Sequence, residues 1–205
     1  MILSDEGIKK ALASGDLEID PVPQDDQYQT SSVDIFLGDV FRIWDPVKFK
    51  PKGVRVELNL AEQTFQDTAN AYTIAAPREA DNSVILPPCA KEPLVLLCLT
   101  RERIHLKRHA ALAARVEGRS SLARIGLVVH LTAPIIHAGF NGPITLEIIN
   151  HGPFHVKFVP NDTRICQFII ERLETAATGP LVTAFQGQQT PIGGGPVAAS
   201  KPKPD

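Results

Sequence analysis

The chain has 205 residues, 43% apolar and 21% charged, which is typical of one globular domain with a sizeable core. Its formal net charge of −2 excludes broad attraction to nucleic acid, and no apolar run approaches the ~20 residues of a membrane span. We therefore expect no nucleic-acid and no membrane partner. The N-terminus carries acids and lysines where a secretory signal needs an apolar run, so we expect a cytoplasmic protein.

The first predicted element is a short helix, followed by a β-rich chain. Ser4 supplies an N-cap oxygen before two acids, and Gly15 predicts the end of this helix. The 17 prolines disfavour long helices, and short β-forming runs punctuated by Gly, Pro and Asn predict a sandwich, jelly roll or barrel. The predicted strand runs are Val33–Leu37, Val54–Leu58, Leu94–Leu99, Leu112–Val116, Leu127–Thr132, Ile144–Ile149 and Arg164–Glu171.

One short helix is predicted between these strands. In the segment EGRSSLARIG, Glu117–Gly126, two glycines bracket two hydroxyls and two guanidinium groups. Helix N-terminal N–H groups and arginine side chains suit phosphate oxygens, so the segment is a candidate phosphate site. The alternative is a capped surface helix with solvated arginines.

A single acid stands out in the apolar run ITLEIIN. Glu147 has apolar neighbours on both sides, so its carboxyl group should be at least partly buried, with a raised pKa. Such a group is suited to transferring protons near neutral pH. The alternative is a structural ion pair with an arginine.

The segment His130–Gly142 predicts a hairpin, in which two apolar runs join through Ala138–Gly139. Backbone groups at its tip could contact the edge of a pyrimidine base. We interpret His130 as a core histidine with its hydrogen bonds satisfied, and His137 as the better functional candidate. Residues 190–205 are rich in Gly and Pro and predict a flexible tail, which leaves 1–189 as one domain.

Zinc chemistry is not expected from this sequence. The zinc nucleobase deaminases carry H-x-E and P-C-x-x-C, and neither motif is present. Three cysteines, Cys89, Cys98 and Cys166, cannot all pair within one chain, so we expect buried reduced thiols. The chain also lacks a P-loop and a nucleophile elbow.

From residue 1 to about 189 the sequence resembles the dCTP deaminase family of the dUTPase-like superfamily. The resemblance is carried by MILSDEGIKKAL, SSVDIFLGDVF, GRSSLARIGLVVHLTA, AGFNGPITLEIINHG and FQGQQ. It implies a mainly β fold, a distorted jelly roll or β-barrel of the dUTPase-like type, with a short N-terminal helix and one short internal helix. It also implies a homotrimer with active sites between subunits and a C-terminal tail that closes over the nucleotide.

The resemblance further implies a role for each site residue. Glu147 would shuttle protons as water adds to C4 of cytosine and ammonia leaves, while Ser120 and Arg124 position and polarise that water. The substrate would be a deoxycytidine nucleotide whose triphosphate carries Mg²⁺. The residues expected to bind the nucleotide are Arg119, Ser121, Leu122, Ala123, His137, Thr145, Leu146 and Gln188.

Four positions depart from the family pattern. His137 stands where the family usually has an Asp that helps to activate water for attack on phosphorus, and a neutral imidazole lacks the negative charge of a carboxylate, which puts triphosphate hydrolysis in this site in doubt. Pro134 removes a backbone donor from the base-contacting segment. Phe185 and its neighbour Ala184 replace the usual tyrosine and basic residue before Q-G-Q, which weakens the expected grip on phosphate.

The sequence thus favours zinc-independent deamination of dCTP to dUTP and ammonia. The first alternative is a bifunctional enzyme that carries dCTP on to dUMP, or a plain dUTP diphosphatase; an Asp in place of His137 would have favoured it. An alternative of another class is a nucleotide-binding regulator without catalysis. A different or modified cytosine nucleotide is also open as substrate.

Overall fold

A computed structural model describes residues 1–49, 56–181, 183 and 185–193. The helices are α1 Asp5–Ala13, α2 Pro46–Phe49, α3 Phe65–Tyr72 and α4 Ser120–Arg124. The strands are β1 Leu17–Asp20, β2 Tyr28–Gln29, β3 Ser32–Trp44, β4 Thr73–Ala75, β5 Val84–Leu86, β6 Leu96–Leu106, β7 Leu112–Gly118, β8 Leu127–Val128, β9 Ile135–Ile136, β10 Asn141–Asn150, β11 Val156–Phe158 and β12 Arg164–Arg172.

Ten of the twelve strands in the described residues form one large antiparallel sheet that curls into half a barrel, which confirms the expected mainly β fold class. The order is β8-β10-β6-β3-β12-β7-β9, with β1 added on β6, β2 and β4 added on β3, and a separate pair β5–β11. Inward-facing side chains of the long strands alternate with less buried ones and form a continuous apolar core.

The N-terminal helix forms as its sequence predicts. The Ser4 hydroxyl accepts the Gly7 backbone N–H at 3.2 Å, which satisfies one of the free donors at the helix start. Ile8 and Ala11 are buried against the sheet. Gly15, at φ +74°, adopts the left-handed conformation that follows a helix end.

The predicted hairpin across His130–Gly142 is wrong. The run before Ala138–Gly139 contributes β9, which pairs with β7, and the run after it begins β10, which pairs there with β6. Tertiary pairing with distant strands therefore replaced the local pairing that the pattern indicated. A turn does lie at the expected junction, where Gly139 has φ +88°.

Two other differences concern the segment before β4. In the predicted run Val54–Leu58, residues 56–58 are not in a strand and residues 54–55 lie outside the described residues. Helices α2 and α3 were not predicted. For α3 a local signal exists, because the Thr64 hydroxyl caps it by accepting the Asp67 backbone N–H at 3.1 Å.

Cys98 and Cys166 are buried free thiols as expected, whereas Cys89 is only half-buried. Within the predicted tail, Ile192 packs against Ala69 and Leu97, while residues 194–205 lie outside the described residues, so the flexible tail stays a prediction. Across the part of the chain that the structure describes, no helix combines the length and apolarity needed to cross a membrane.

Candidate active site

Glu147 lies at the centre of β10 between two fully buried side chains, Leu146 and Ile148. Its own carboxyl group points to the other face of the strand and is partly buried. Burial raises the pKa of Glu147, although a hydrogen bond from the Leu131 backbone N–H and the nearby His130 oppose that effect. The predicted partly buried carboxyl with a raised pKa is therefore confirmed.

The Glu147 carboxyl group faces a cavity of about 420 Å³. This volume lies in the usual range of small-molecule sites, about 300–1,000 Å³. His137, Thr145 and Gln188 also line the cavity, so the fold brings four of the predicted site residues together. The remaining wall is mainly apolar: Phe65, Leu97, Ala133, Ile135, Ile136, Phe140, Ile144, Leu181, Thr183, Phe185 and Pro191.

The predicted short helix exists as α4, with Arg119 as its N-cap residue. Ser120 and Arg124 are exposed, as are Ser121 and Ala123, and none of them lines the cavity. Leu122 is half-buried and packs against the core. Within one chain the structure therefore does not bring α4 to the cavity that contains Glu147.

Two more residues predicted to contact the nucleotide are Leu146, on β10, and Gln188, which follows β12 in the chain. The Leu146 side chain is fully buried in the core, so only its backbone could face a ligand. Gln188 is 2% exposed, and its amide donates to the Pro143 carbonyl at 2.8 Å and accepts from the Thr145 hydroxyl at 3.2 Å. In this conformation the Gln188 amide fixes the cavity wall, and its contact with phosphate stays a prediction.

The segment before Gln188 is attached along the start of β10. The Gly187 N–H donates to the Asn141 carbonyl at 2.7 Å, and the Gln186 amide donates to the Gly139 carbonyl at 2.9 Å. These backbone-directed bonds hold FQGQ in place as part of the site, far in sequence from Glu147.

Sequence reasoning missed an aromatic pair at the cavity. Phe65 of α3 and Phe185 have ring centroids 6.0 Å apart at an interplanar angle of 53°. Both rings line the cavity. Helix capping by Thr64 could have located α3, but nothing in the local sequence indicates that these two residues, 120 positions apart, would meet.

The interpretation of His130 as a histidine with satisfied hydrogen bonds is wrong. Its Nδ1 is buried and has no hydrogen-bond partner among the described residues, and its Nε2 lies 3.8 Å from a Glu117 carboxylate oxygen. Its electrostatic interaction with Glu147 lowers the pKa of that carboxyl group, so His130 belongs to the electrostatic environment of the cavity. His137, by contrast, lines the cavity as its candidacy requires.

The described residues include no group of three or more His, Cys, Asp and Glu side chains placed to hold a metal ion. The expectations about zinc and about magnesium carried by a triphosphate stay predictions.

Residues 2–173 match the family model of dCTP deaminase-like proteins. The chain is 37% identical over 180 residues to "dCTP deaminase, dUMP-forming" of Methanosphaera stadtmanae, covering 87% of this chain and 83% of that protein. It is 34% identical over 196 residues to "dCTP deaminase" of Rhodospirillum rubrum, covering 94% and 95%. These matches confirm the resemblance to the dCTP deaminase family that the sequence motifs indicated.

The fold also has a solved relative. The crystal structure of 2′-deoxycytidine 5′-triphosphate deaminase from Agrobacterium tumefaciens matches with a TM-score of 0.55 at 20% identity. The match covers 82% of this chain and 47% of that longer chain. At this identity the likeness establishes the fold alone.

Proposed function

The chain belongs to the dCTP deaminase-like family, and we propose on that premise that it hydrolyses the 4-amino group of dCTP to give dUTP and ammonia. The observation that carries the proposal is the Glu147 carboxyl group, which faces a largely apolar cavity and has a pKa raised by burial. A carboxyl group with a raised pKa can take up and return a proton near neutral pH.

The reaction needs two proton movements at one carbon. Water adds to C4 of cytosine, and Glu147 accepts the proton that the water loses and passes it to N3. Glu147 then takes the remaining proton of the C4 hydroxyl and delivers it to the 4-amino group, the C4–N bond breaks, ammonia leaves and the C4 carbonyl of uracil forms. The Ser120 hydroxyl would hold the attacking water, and the Arg124 guanidinium would stabilise charge that develops beside it.

We propose that Ser120 and Arg124 reach the cavity from a neighbouring protomer. Ser120 and Arg124 are exposed and lie outside the cavity of their own chain, so they are free to enter the cavity of another copy. Exposed apolar side chains lie both after α4, at Ile125, and at the cavity, at Ile135, as at a subunit interface. We propose a homotrimer with active sites between subunits.

The nucleotide would be held from both sides of this interface. His137 can hydrogen-bond the sugar 3′-hydroxyl, and the backbone of Thr145 and Leu146 can contact the base edge. The residues of α4 and its N-cap that would contact the nucleotide are Arg119, Ser121, Leu122 and Ala123. The Arg119 guanidinium would bind a phosphate group. The substrate is the magnesium salt of dCTP, and Gln188 would approach its phosphates after leaving Pro143. We place this reaction in the cytoplasm.

The dUMP-forming reaction is the second candidate. Relatives from Methanosphaera stadtmanae and Halobacterium salinarum, 37% and 38% identical, carry that name. It requires a group that activates water for attack on phosphorus, and a neutral imidazole such as His137 at the cavity lacks the negative charge and the second acceptor oxygen of a carboxylate. We therefore rank deamination alone first.

The test is to incubate the pure protein with magnesium and dCTP, CTP, dCMP or dUTP, and to measure ammonia and pyrophosphate separately. We expect ammonia from dCTP without pyrophosphate. Ammonia together with pyrophosphate would establish the dUMP-forming reaction, and pyrophosphate from dUTP alone would establish a dUTP diphosphatase. Binding of dCTP without either product would refute an enzymatic role and favour a regulator.

A further inference from the structure

Helix α4 is too short to hold its own conformation, because a five-residue helix barely exceeds its costly nucleus. Its C-terminal end is fixed by close backbone packing: a Cβ added at Gly152 would lie 1.9 Å from the Ile125 carbonyl oxygen. At its N-terminal end, Arg119 is the N-cap residue that precedes Ser120.

The N-terminal end is tied to a buried carboxylate. Asp34, on β3, is 1% exposed, and its Oδ2 lies 3.4 Å from Arg119 Nη2 and 3.7 Å from Arg164 Nη1. That oxygen has no hydrogen-bond partner among the described residues, so the two guanidinium groups supply its charge compensation. A buried carboxylate is strongly held by such partners because leaving it alone is costly.

The sheet explains how these residues meet. The strands β3, β12 and β7 are neighbours, and Asp34 lies opposite Gln167 of β12, whose amide reaches Asp34 Oδ1 at 3.4 Å. On the other side of β12, Gly118 ends β7 and is followed at once by Arg119. Asp34 thus reaches across one strand to the residue that begins α4.

We propose that Asp34 is a positioning residue: its carboxylate fixes the Arg119 guanidinium, and through it the start of α4, so that Ser120 and Arg124 are presented in one orientation. The effect on catalysis rests on the proposed function, since it is the deamination step that needs Ser120 and Arg124 in place. A displacement of about 1 Å in such groups can cost up to ~10²-fold in rate.

The chain contains a matched control in Glu102. This carboxylate is fully buried in the same region, but its partners lie outside α4: Arg101 Nη2 at 2.5 Å, the Phe36 backbone N–H at 2.9 Å and the Gln27 amide at 3.3 Å. Asp34→Asn and Glu102→Gln each remove one buried negative charge with little change of shape. Only the first removes a charge that holds α4.

The first measurement is dCTP deamination by both variants, at a temperature where circular dichroism shows each to be folded. We expect Asp34→Asn to lower kcat by about tenfold or more, a change of roughly 1.4 kcal/mol in the barrier. Glu102→Gln should lower the melting temperature but leave kcat within about threefold, under 1 kcal/mol by the same relation. Equal kcat losses in the two variants would overturn the proposal.

A double-mutant cycle separates positioning from general stability. If Asp34 acts through Arg119, then Asp34→Asn combined with Arg119→Gln loses no more activity than Arg119→Gln alone, because the connection is already broken. In the double variant Asp34→Asn with Glu102→Gln, the fold losses in kcat of the two single variants should multiply. Multiplication in the first pair would contradict the proposal.

A second readout does not depend on activity. Hydrogen exchange at the backbone amides of α4 should accelerate in Asp34→Asn and stay unchanged in Glu102→Gln. If the wild-type protein releases no ammonia from dCTP, the proposed function fails while this measurement still decides whether Asp34 holds α4. Unchanged exchange in Asp34→Asn refutes the positioning role whatever the activity.

Discussion

Replacement of Glu147 by Gln separates catalysis from stability more clearly than any other change. The amide keeps the size of the side chain and can still accept the Leu131 backbone N–H, but it can neither take up nor return a proton. Because general acid–base catalysis typically contributes ~10²–10⁴-fold, we expect kcat for dCTP deamination to fall by that factor. Binding of dCTP should be retained, since the cavity wall is unchanged in shape.

The same substitution should stabilise the fold at neutral pH. Burial raises the pKa of Glu147, so above that raised pKa the ionised carboxylate lowers the free energy of unfolding. Below the ordinary carboxyl pKa this destabilisation disappears, because the folded and unfolded states both hold the proton. Glu147→Gln should therefore melt at a higher temperature than wild type at neutral pH. Each 1 kcal/mol of relieved cost corresponds to about 2–4 °C in a domain of this size.

The assay is ammonia release under saturating dCTP, combined with thermal unfolding at several pH values. The difference in melting temperature should shrink as the pH falls towards the ordinary carboxyl pKa. The control is Glu171→Gln, which removes a partly exposed carboxylate that pairs with Arg115 at 3.3 Å and does not line the cavity, so kcat should change by less than a factor of two. A Glu147→Gln variant with more than a tenth of wild-type kcat would refute the assignment of proton transfer to Glu147.

Two further predictions concern the surroundings of the site. His130→Gln removes an electrostatic interaction that lowers the pKa of Glu147, so the acid limb of the kcat/KM profile against pH should move to higher pH; an unmoved limb, or a shift to lower pH, would contradict this electrostatic account. Gly152→Ala places a Cβ 1.9 Å from the Ile125 carbonyl oxygen, which forces backbone movement and should cost about 1–3 kcal/mol in thermal unfolding. The control is Gly179→Ala, where an added Cβ meets nothing within 4 Å; equal melting temperatures of the two variants would refute the packing argument.

The local features of the site could be read from the sequence because they depend on near neighbours. Alternation along β10 buries Leu146 and Ile148 and leaves Glu147 on the opposite face, where apolar surroundings raise its pKa. The glycines around α4 and the N-cap oxygen of Ser4 likewise act within a few residues of their effect. Motif resemblance then identified the family, which the comparisons confirmed.

Strand partners could not be read in this way. A period of two along a strand says which side chains share a face, but not which distant strand supplies the hydrogen bonds. The expected hairpin therefore did not form, because β9 pairs with β7 and the start of β10 pairs with β6. Contacts between distant segments depend on how the whole sheet curls.

The sequence by itself determined helices α1 and α4, the partly buried acid Glu147 and the family, since each is set by local hydrogen bonding, side-chain periodicity or motif spacing. Only the tertiary structure decided that Phe65 meets Phe185 at the cavity and that Asp34 holds Arg119. The physical reason is that a buried charge or an apolar ring takes its partner from whatever the fold places beside it, and that neighbour lies 85 or 120 residues away in the sequence.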